Sequence, residues 1–459
     1  MTSTFQSVSP QRPDTVVGVF QTATGDDVRK AVRRAADATP DWAGASALDR
    51  SRALDRAAAE VDRRTDEIVE LTVREVGKPR SEAAGELRRA VDILRFNAQV
   101  ALQPVGEVHP TDGAQLRLTT LRRPHGVVGL ITPWNFPVAI PLWKAAPALA
   151  LGNSVVVKAS PDSAAVTELV MGIVAEQLPA GAVQVVHGYA EAGQALVASA
   201  DAISFTGSTA VGTAVAAACA QRCVPVQAEM GGLNASLVLP GGDVAAAARK
   251  VAYSIAGYAG QKCTATRRVI TIGDGTEFVE ALAAALDDYR LGDPVDPDVA
   301  VGPLIASAAR DRVAQNVERA IEHDGAVRYT RRTDTPADGF YHAPALVGRL
   351  APDSPLLRDE VFGPLACVIE AADDDDAVRI ANGVDYGLTG AVIGTDLERA
   401  QELALRLHVG MAKVNEPTTG ASHHVPFGGE GISSFGPREQ GLAAVEMYTW
   451  KQTLAVSRL

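Results

Sequence analysis

Several things are scarce or missing in this chain, and each absence removes a class of protein. Cysteine occurs four times in 459 residues, at Cys219, Cys223, Cys263 and Cys367, too thinly for a disulfide framework; a reducing, cytoplasmic setting is expected. Basic residues are outnumbered, 43 Lys and Arg against 55 Asp and Glu, and a net charge of -12 argues against a general nucleic-acid surface. No uninterrupted apolar run approaches the length needed to span a bilayer, and the opening MTSTFQSVSPQRPD has neither the basic nor the apolar stretch of a secretory leader. Neither nucleic acid nor membrane is therefore expected as a partner. Internal repeats and Ser/Gly-rich linkers are also missing. What is present, 47% hydrophobic and 21% charged residues, describes an ordinary globular protein, and its length exceeds what one core usually supports, so two or more lobes are expected.

The grain of the sequence changes along its length. From Gly25 to about Gln99, apolar residues recur at three and four with Arg and Glu between them, the pattern of solvated helices. Residues 106–124 alternate in QLRLTTL around a Pro-Thr-Asp-Gly turn and predict a hairpin, a suitable assembly arm between lobes. From 126 to 240, GVVGLI, SVVVK, VQVVHG, AISFTG, VPVQAEM and ASLVLP read as strands, with helical runs between them. Such βα alternation predicts a doubly wound parallel sheet with ligands at the carboxyl ends of its strands. A second alternating stretch, 243–436, predicts a second α/β lobe.

Five features can carry chemistry, and each has a bland alternative. GYAGQKCTAT sets Cys263 among small residues after Lys262; taken alone, a free cysteine is more often an inert core residue than a nucleophile. No G-x-G-x-x-G follows a strand. AISFTGSTAVG does place Gly207, Ser208 and Gly212 at a strand-to-helix junction, without the Lys and Ser or Thr of a phosphate-hydrolysing loop. It offers a helix start suited to pyrophosphate, or only turn chemistry. Lys158 ends an apolar strand, where it can meet a ribose or phosphate or simply reach into water. ITPWNFP clamps Asn135 between prolines beside Trp134 and Phe136, as an oxyanion donor or a turn residue. Glu229 ends VPVQAEM before Gly231 and Gly232, as a general base or a solvated carboxylate. Two other clusters need no chemistry: Asp373–Asp376 reads as a helix start, and Cys219 with Cys223 as one face of a core helix rather than a metal site. No metal is expected.

Taken together, ITPWNFP, Lys158, FTGS at 205–208, EMGG at 229–232, GQKC at 260–263, EVFGP at 360–364 and PFGG at 426–429 resemble, in order and spacing, the motifs of the aldehyde dehydrogenase superfamily. The likeness runs from about residue 10 to the end. It implies a Rossmann-type cofactor lobe (1–104 and 125–231), a catalytic lobe (232–440) and a small β oligomerisation arm (105–124 and 441–459), assembled as a homodimer or homotetramer. It further implies that Cys263 attacks an aldehyde to give a thiohemiacetal, that Asn135 and the Cys263 backbone N–H hold the oxyanion, and that hydride passes to a nicotinamide. Glu229 would then activate the water that hydrolyses the resulting thioester. Lys158 and Ser208 would serve the adenosine and pyrophosphate end of the cofactor, Glu360 and Phe362 its nicotinamide ribose and ring, and Ser160, Trp134 and Gly207 are further cofactor-binding candidates.

Relatives that prefer NAD often carry Glu three positions after this lysine; here Pro161 stands there, which favours NADP over NAD. Asp162, one residue further on, could act in either direction. The tail VNEPTTGASHHVPFGG…FGPREQG is similar to that of α-ketoglutaric semialdehyde dehydrogenases, so an anion-binding group is expected in the substrate tunnel, with Lys262 and His424 as first candidates and Arg267, Arg268 and His423 as others. Glu430, Gly431 and Leu233 depart from that subgroup, and an acid at the tunnel mouth would repel an anionic substrate. A cofactor-independent thioester hydrolase or acyl-transfer protein using Cys263 and Glu229, and a catalytically silent binding homologue, are the alternatives from other classes.

Overall fold

The computed structural model describes residues 3–112 and 115–457. The chain opens with an antiparallel pair, β1 (Thr4–Ser9) and β2 (Arg12–Gln21), which nothing in the composition of TFQSVSPQRPDTVVGVFQ announces beyond a weak alternation. The helical stretch expected from Gly25 to about Gln99 is divided into four helices: α1 (Gly25–Gly44), α2 (Ala47–Arg63), α3 (Thr65–Val76) and α4 (Arg80–Val100). Their limits have local causes. Thr24 and Asp27 form a reciprocal capping box at the start of α1, and α3 stops at Gly77, whose φ of 64° suits glycine. The hairpin β3 (Gly106–His109) and β4 (Leu116–Pro124) pairs in antiparallel register, with Gly106 opposite Leu121; Gly113 of its turn lies outside the described residues.

The first βα run contains β5 (Val127–Ile131), α5 (Ala139–Ala150), β6 (Ser154–Lys158), α6 (Ala164–Ala175), β7 (Val183–Val186), α7 (Ala190–Ser199), β8 (Ala202–Thr206), α8 (Thr209–Arg222) and β9 (Val226–Glu229). Strands such as VVGLI are buried along their whole length because helices cover both faces of a parallel sheet. Strand β10 (Asn234–Val238) does not extend this sheet. It starts the second one, followed by α9 (Val244–Ala256), β11 (Thr266–Ile272), α10 (Thr276–Asp287), α11 (Ser307–Glu322), β12 (Val327–Arg328), β13 (Ala345–Gly348) and β14 (Leu365–Ala371). The expectation that ASLVLP belongs to the first run is corrected: periodicity marks a strand, and only packing assigns its sheet. The chain continues through α12 (Asp374–Asn382), β15 (Tyr386–Gly387), β16 (Thr389–Ile393), α13 (Leu397–Leu405), β17 (Met411–Val414), β18 (Glu430–Gly431), β19 (Ser434–Phe435), α14 (Ala444–Tyr448) and β20 (Thr449–Ser457). The acidic run is a helix start, with Asp373 accepting from the Asp376 N–H.

The first sheet has the order β19-β9-β8-β5-β6-β7, and the second β12-β13-β14-β11-β10-β16-β17. Strand β20 joins the hairpin in a three-stranded sheet β20-β4-β3. Strand β19 comes from far along the chain yet pairs with β9, setting Ser434 opposite Glu229. Cys219 is buried in α8, but Cys223 is not core as expected: it is exposed and closes α8 with a φ of 55°.

Candidate active site

Cys263 lies between α9 and β11, just past a short turn in which Tyr258 and Ala259 both take left-handed conformations, φ 55° and 51°. Two consecutive non-glycine residues in that region store strain, which persists because Tyr258 is fully buried and its hydroxyl donates to the Val76 carbonyl at 3.2 Å. The thiol is half-buried and opens on a cavity of about 380 Å³ walled by Phe136, Ile140, Trp143, Thr264 and Phe427. The double glycine after Met230 makes the approach possible: a Cβ on Gly231 would lie 2.2 Å from a Glu360 carboxylate oxygen, and one on Gly232 would lie 2.6 Å from the Cys263 carbonyl.

Asn135 arrives from the exit of β5. Its Nδ2 donates to the Gln261 carbonyl at 2.9 Å, so one of its two amide hydrogens is held and the other is left to meet a developing oxyanion. Its own backbone carbonyl accepts from Lys78 Nζ at 2.6 Å. Lys78 is fully buried, ion-paired with Glu86, and sits 3.9 Å from the Phe136 ring centroid; Glu86 in turn accepts the Val138 and Ala139 N–H groups at 2.9 Å. Sequence reasoning missed this pair. The visible signal was VGKPRSEAAGE, where a lysine follows a helix-terminating glycine before an acidic helix.

Glu229 is 2% exposed. Its Oε2 accepts from Ser434 Oγ at 2.6 Å and its Oε1 from Gln227 Nε2 at 3.1 Å. Burial and the neighbouring Glu439 carboxylate push its pKa up to about 8, against the pull of Ser434, Lys144 and Arg438. Behind it, buried Lys144 is ion-paired with Glu439 and donates to Ser204 Oγ at 2.8 Å. A lysine inside the otherwise apolar AIPLWKAAPALA was the sign that an acid must be buried with it.

In the protein alone, Cys263 has carboxylates near its thiol. Burial and the carboxylates of Glu360 and Glu229 push its pKa up, so the isolated site holds a neutral thiol. Lys262 does not relieve this. Its ammonium lines the same cavity but is paired with Glu82 at 2.8 and 2.9 Å and lies 4.8 Å from the Tyr253 ring centroid. As a free anion-binding group it is therefore corrected. His424 is corrected too: it is exposed, packs on His423, and is not among the residues lining the cavity. Arg267 and Arg268 are structural, donating to the carbonyls of Gly260 and Gly363 and of Leu233, Ile380 and Ala381. The cavity instead presents Arg88 and Arg89 from α4, and the half-buried Arg89 has no hydrogen-bond or ion-pair partner among the described residues. The expected repulsion by Glu430 is corrected as well, since that carboxylate is ion-paired with Arg438.

The residues assigned to a dinucleotide cluster along the carboxyl edge of the first sheet. Lys158 ends β6 and Gly207 follows β8, on either side of the β5 exit that carries Trp134. Ser160 is buried after β6, while Ser208 caps α8 with its side chain unused by the helix. Burial lowers the Lys158 pKa to about 8, so an incoming phosphate would restore its charge. Phe362 meets the Trp134 ring edge-on at 5.8 Å. Glu360 Oε1 is buried without a hydrogen-bond partner, 4.0 Å from the Arg267 guanidinium, and burial raises that carboxyl to about 7. An orphaned buried acceptor, an uncapped helix start and a desolvated lysine on one edge fit a pyridine dinucleotide.

Fold and site define an NAD(P)-dependent oxidoreductase that works through a cysteine. The comparisons agree: residues 1–454 match the model of the aldehyde dehydrogenase family. The chain is 33% identical over 456 residues to an α-ketoglutaric semialdehyde dehydrogenase of Bacillus subtilis, covering 98% of this chain and 93% of that one. It is 35% identical over 461 residues to an α-ketoglutarate semialdehyde dehydrogenase of Haloferax volcanii, covering 98% and 95%. Among solved structures, PnpE from Pseudomonas sp. WBC-3 in complex with nicotinamide adenine dinucleotide superposes with a TM-score of 0.95 at 34% identity, over 99% of this chain and 94% of that one. The chain belongs to the aldehyde dehydrogenase family.

Proposed function

We propose that this enzyme oxidises a small aldehyde bearing a distal carboxylate, a semialdehyde or oxo-acid aldehyde, to the corresponding acid through intermediates covalently bound to Cys263. One observation carries the substrate class: the cavity onto which the thiol opens is lined by Arg88 and the unpaired guanidinium of Arg89, which suits a carboxylate at the far end of a short chain.

Cys263 Sγ adds to the aldehyde carbon as its proton passes to solvent water in the cavity, and the carbonyl oxygen becomes an oxyanion held by the free Asn135 amide hydrogen and the Cys263 N–H. A bound nicotinamide supplies the acceptor for the hydride, and the residues that would hold its dinucleotide are Lys158, Ser160, Trp134, Gly207, Ser208, Glu360 and Phe362. The thioester on Cys263 is hydrolysed by a water whose proton goes to Glu229, releasing acid and free thiol. NADP is preferred over NAD on the strength of Lys158, the buried Ser160, and Pro161 in place of a carboxylate.

With the cofactor lobe taken as 1–104 and 125–231, the catalytic lobe as 232–440 and the arm as 105–124 and 441–459, a second copy of the chain is the fitting cover for the arm. Val108 is 76% exposed there, and Trp450, Leu454 and Val456 lie open along β20. This open face supports a homodimer or homotetramer, and the four free cysteines support a cytoplasmic setting.

The test is reduction of NAD and NADP followed optically against carboxylate-bearing and neutral aldehydes, with Cys263→Ala as control. Turnover lost by at least about 10³-fold with cofactor binding kept is the expected result. An active Cys263→Ala enzyme would refute the mechanism.

A further inference from the structure

The second sheet has a crevice that the chemistry above does not use. From β10 the chain passes through α9 to β11 on one side, and from β16 through α13 to β17 on the other, so the strand exits diverge between β10 and β16. In open parallel sheets, that divergence at the carboxyl ends is where ligands bind. A cavity of about 280 Å³ lies there, at the far end of β11 from Cys263, floored by Val238, Ile272, Phe278 and Ile393.

Its walls are fixed by side chains from three elements. Lys250 of α9 donates to the Asn415 carbonyl at 2.5 Å, and the Asn415 carboxamide closes on the Gly394 N–H and carbonyl, both at 2.8 Å. Asn415 itself sits at φ 55°, a conformation held by these contacts. Thr271, also in the lining, is 2% exposed, and its hydroxyl has no hydrogen-bond partner. A buried hydroxyl left unsatisfied at a cavity wall costs free energy that a ligand donor or acceptor would recover.

The charge of the lining selects the ligand. Two helix starts open on the cavity, but both are already offset: Asp243 accepts the Ala246 N–H at 2.9 Å and Asp274 the Thr276 N–H at 3.0 Å. Glu277 adds a third carboxylate, and Lys250 is the only cation in the lining. An anion is disfavoured and a cation favoured. We propose that this cavity is a second binding site, separate from the substrate cavity, for a small primary ammonium carrying an apolar body, with the carboxylates receiving the charge, the Thr271 hydroxyl a hydrogen bond and the apolar floor the body.

The probes are benzylammonium, benzyl alcohol and benzoate, titrated calorimetrically into the full-length enzyme near neutral pH. Benzylammonium should bind at least about tenfold more tightly than benzoate, with the alcohol between them. Ala247→Trp, which fills the cavity, should abolish binding and leave aldehyde oxidation unchanged. If that variant fails to fold, Thr271→Val combined with Glu277→Gln should weaken benzylammonium at least about fivefold. Absence of binding, preference for benzoate, or an affinity untouched by these variants would overturn the proposal. Benzoate is expected to bind at Arg88 and Arg89 of the substrate cavity, so each titration is repeated with Ala247→Trp, and only the binding which that variant removes is assigned to the second site; this keeps failure of the proposal distinct from failure of the substrate assignment.

Discussion

Ser434 and Glu229 are 205 residues apart in the chain and 2.6 Å apart in space. The hydroxyl of Ser434 accepts the Gly429 N–H at 2.6 Å, which directs its single proton to Oε2 of Glu229. The general base is thus parked on a hydroxyl oriented by the PFGG loop, with Gln227 on its other oxygen.

The pH dependence of turnover should report that contact. The Ser434 bond lowers the Glu229 pKa against burial and Glu439, which together raise it to about 8. Glu229 must be ionised to take a proton from water, so the rate of thioester hydrolysis rises as pH rises through that pKa. Ser434→Ala removes a lowering contribution, and the rising limb should move to higher pH by roughly one unit, read from kcat against pH. An unmoved limb would dissociate Glu229 from water activation.

Lys78→Met should cost about 3–5 kcal/mol in denaturant unfolding, because Glu86 would be left buried without its cation. The same change releases the Asn135 carbonyl, so kcat should fall as well. A variant as stable as the parent would show that the pair is not structurally important.

Arg89→Gln should raise KM for carboxylate-bearing aldehydes by about tenfold and leave neutral aldehydes nearly unchanged. Equal losses on both classes would mean that Arg89 shapes the cavity without reading charge.

Pro161→Glu places a carboxylate just beyond Lys158 and Ser160. KM for NADP should rise by about tenfold, with NAD use retained or improved, in steady-state assays with either cofactor varied. Unchanged discrimination would remove this turn from cofactor choice.

Much of the architecture was legible because it rests on local periodicity. The helical tract of α1 to α4, the strands β5 to β10 and the arm hairpin are visible as spacing of apolar residues, whereas β13, buried along its whole length, was not singled out. The hairpin of β1 and β2 escaped because its residues are half exposed and its alternation is broken by register shifts. Strand β10 was seen as a strand and put with the wrong sheet, since β10 differs from its neighbours only in the surfaces it meets.

The sequence by itself determined the order of elements and, through short motifs at characteristic distances, the family and its chemistry: a thiol, a carboxamide and a carboxylate at the ends of βα units. Only the tertiary structure decided which charge meets which. Lys262 is taken by Glu82, Lys144 by Glu439 and Glu430 by Arg438, leaving Arg88 and Arg89 at the cavity wall without an ion-pair partner among the described residues. These pairings depend on how segments far apart in the chain are brought together and how much water is excluded between them, and neither quantity is written in local spacing.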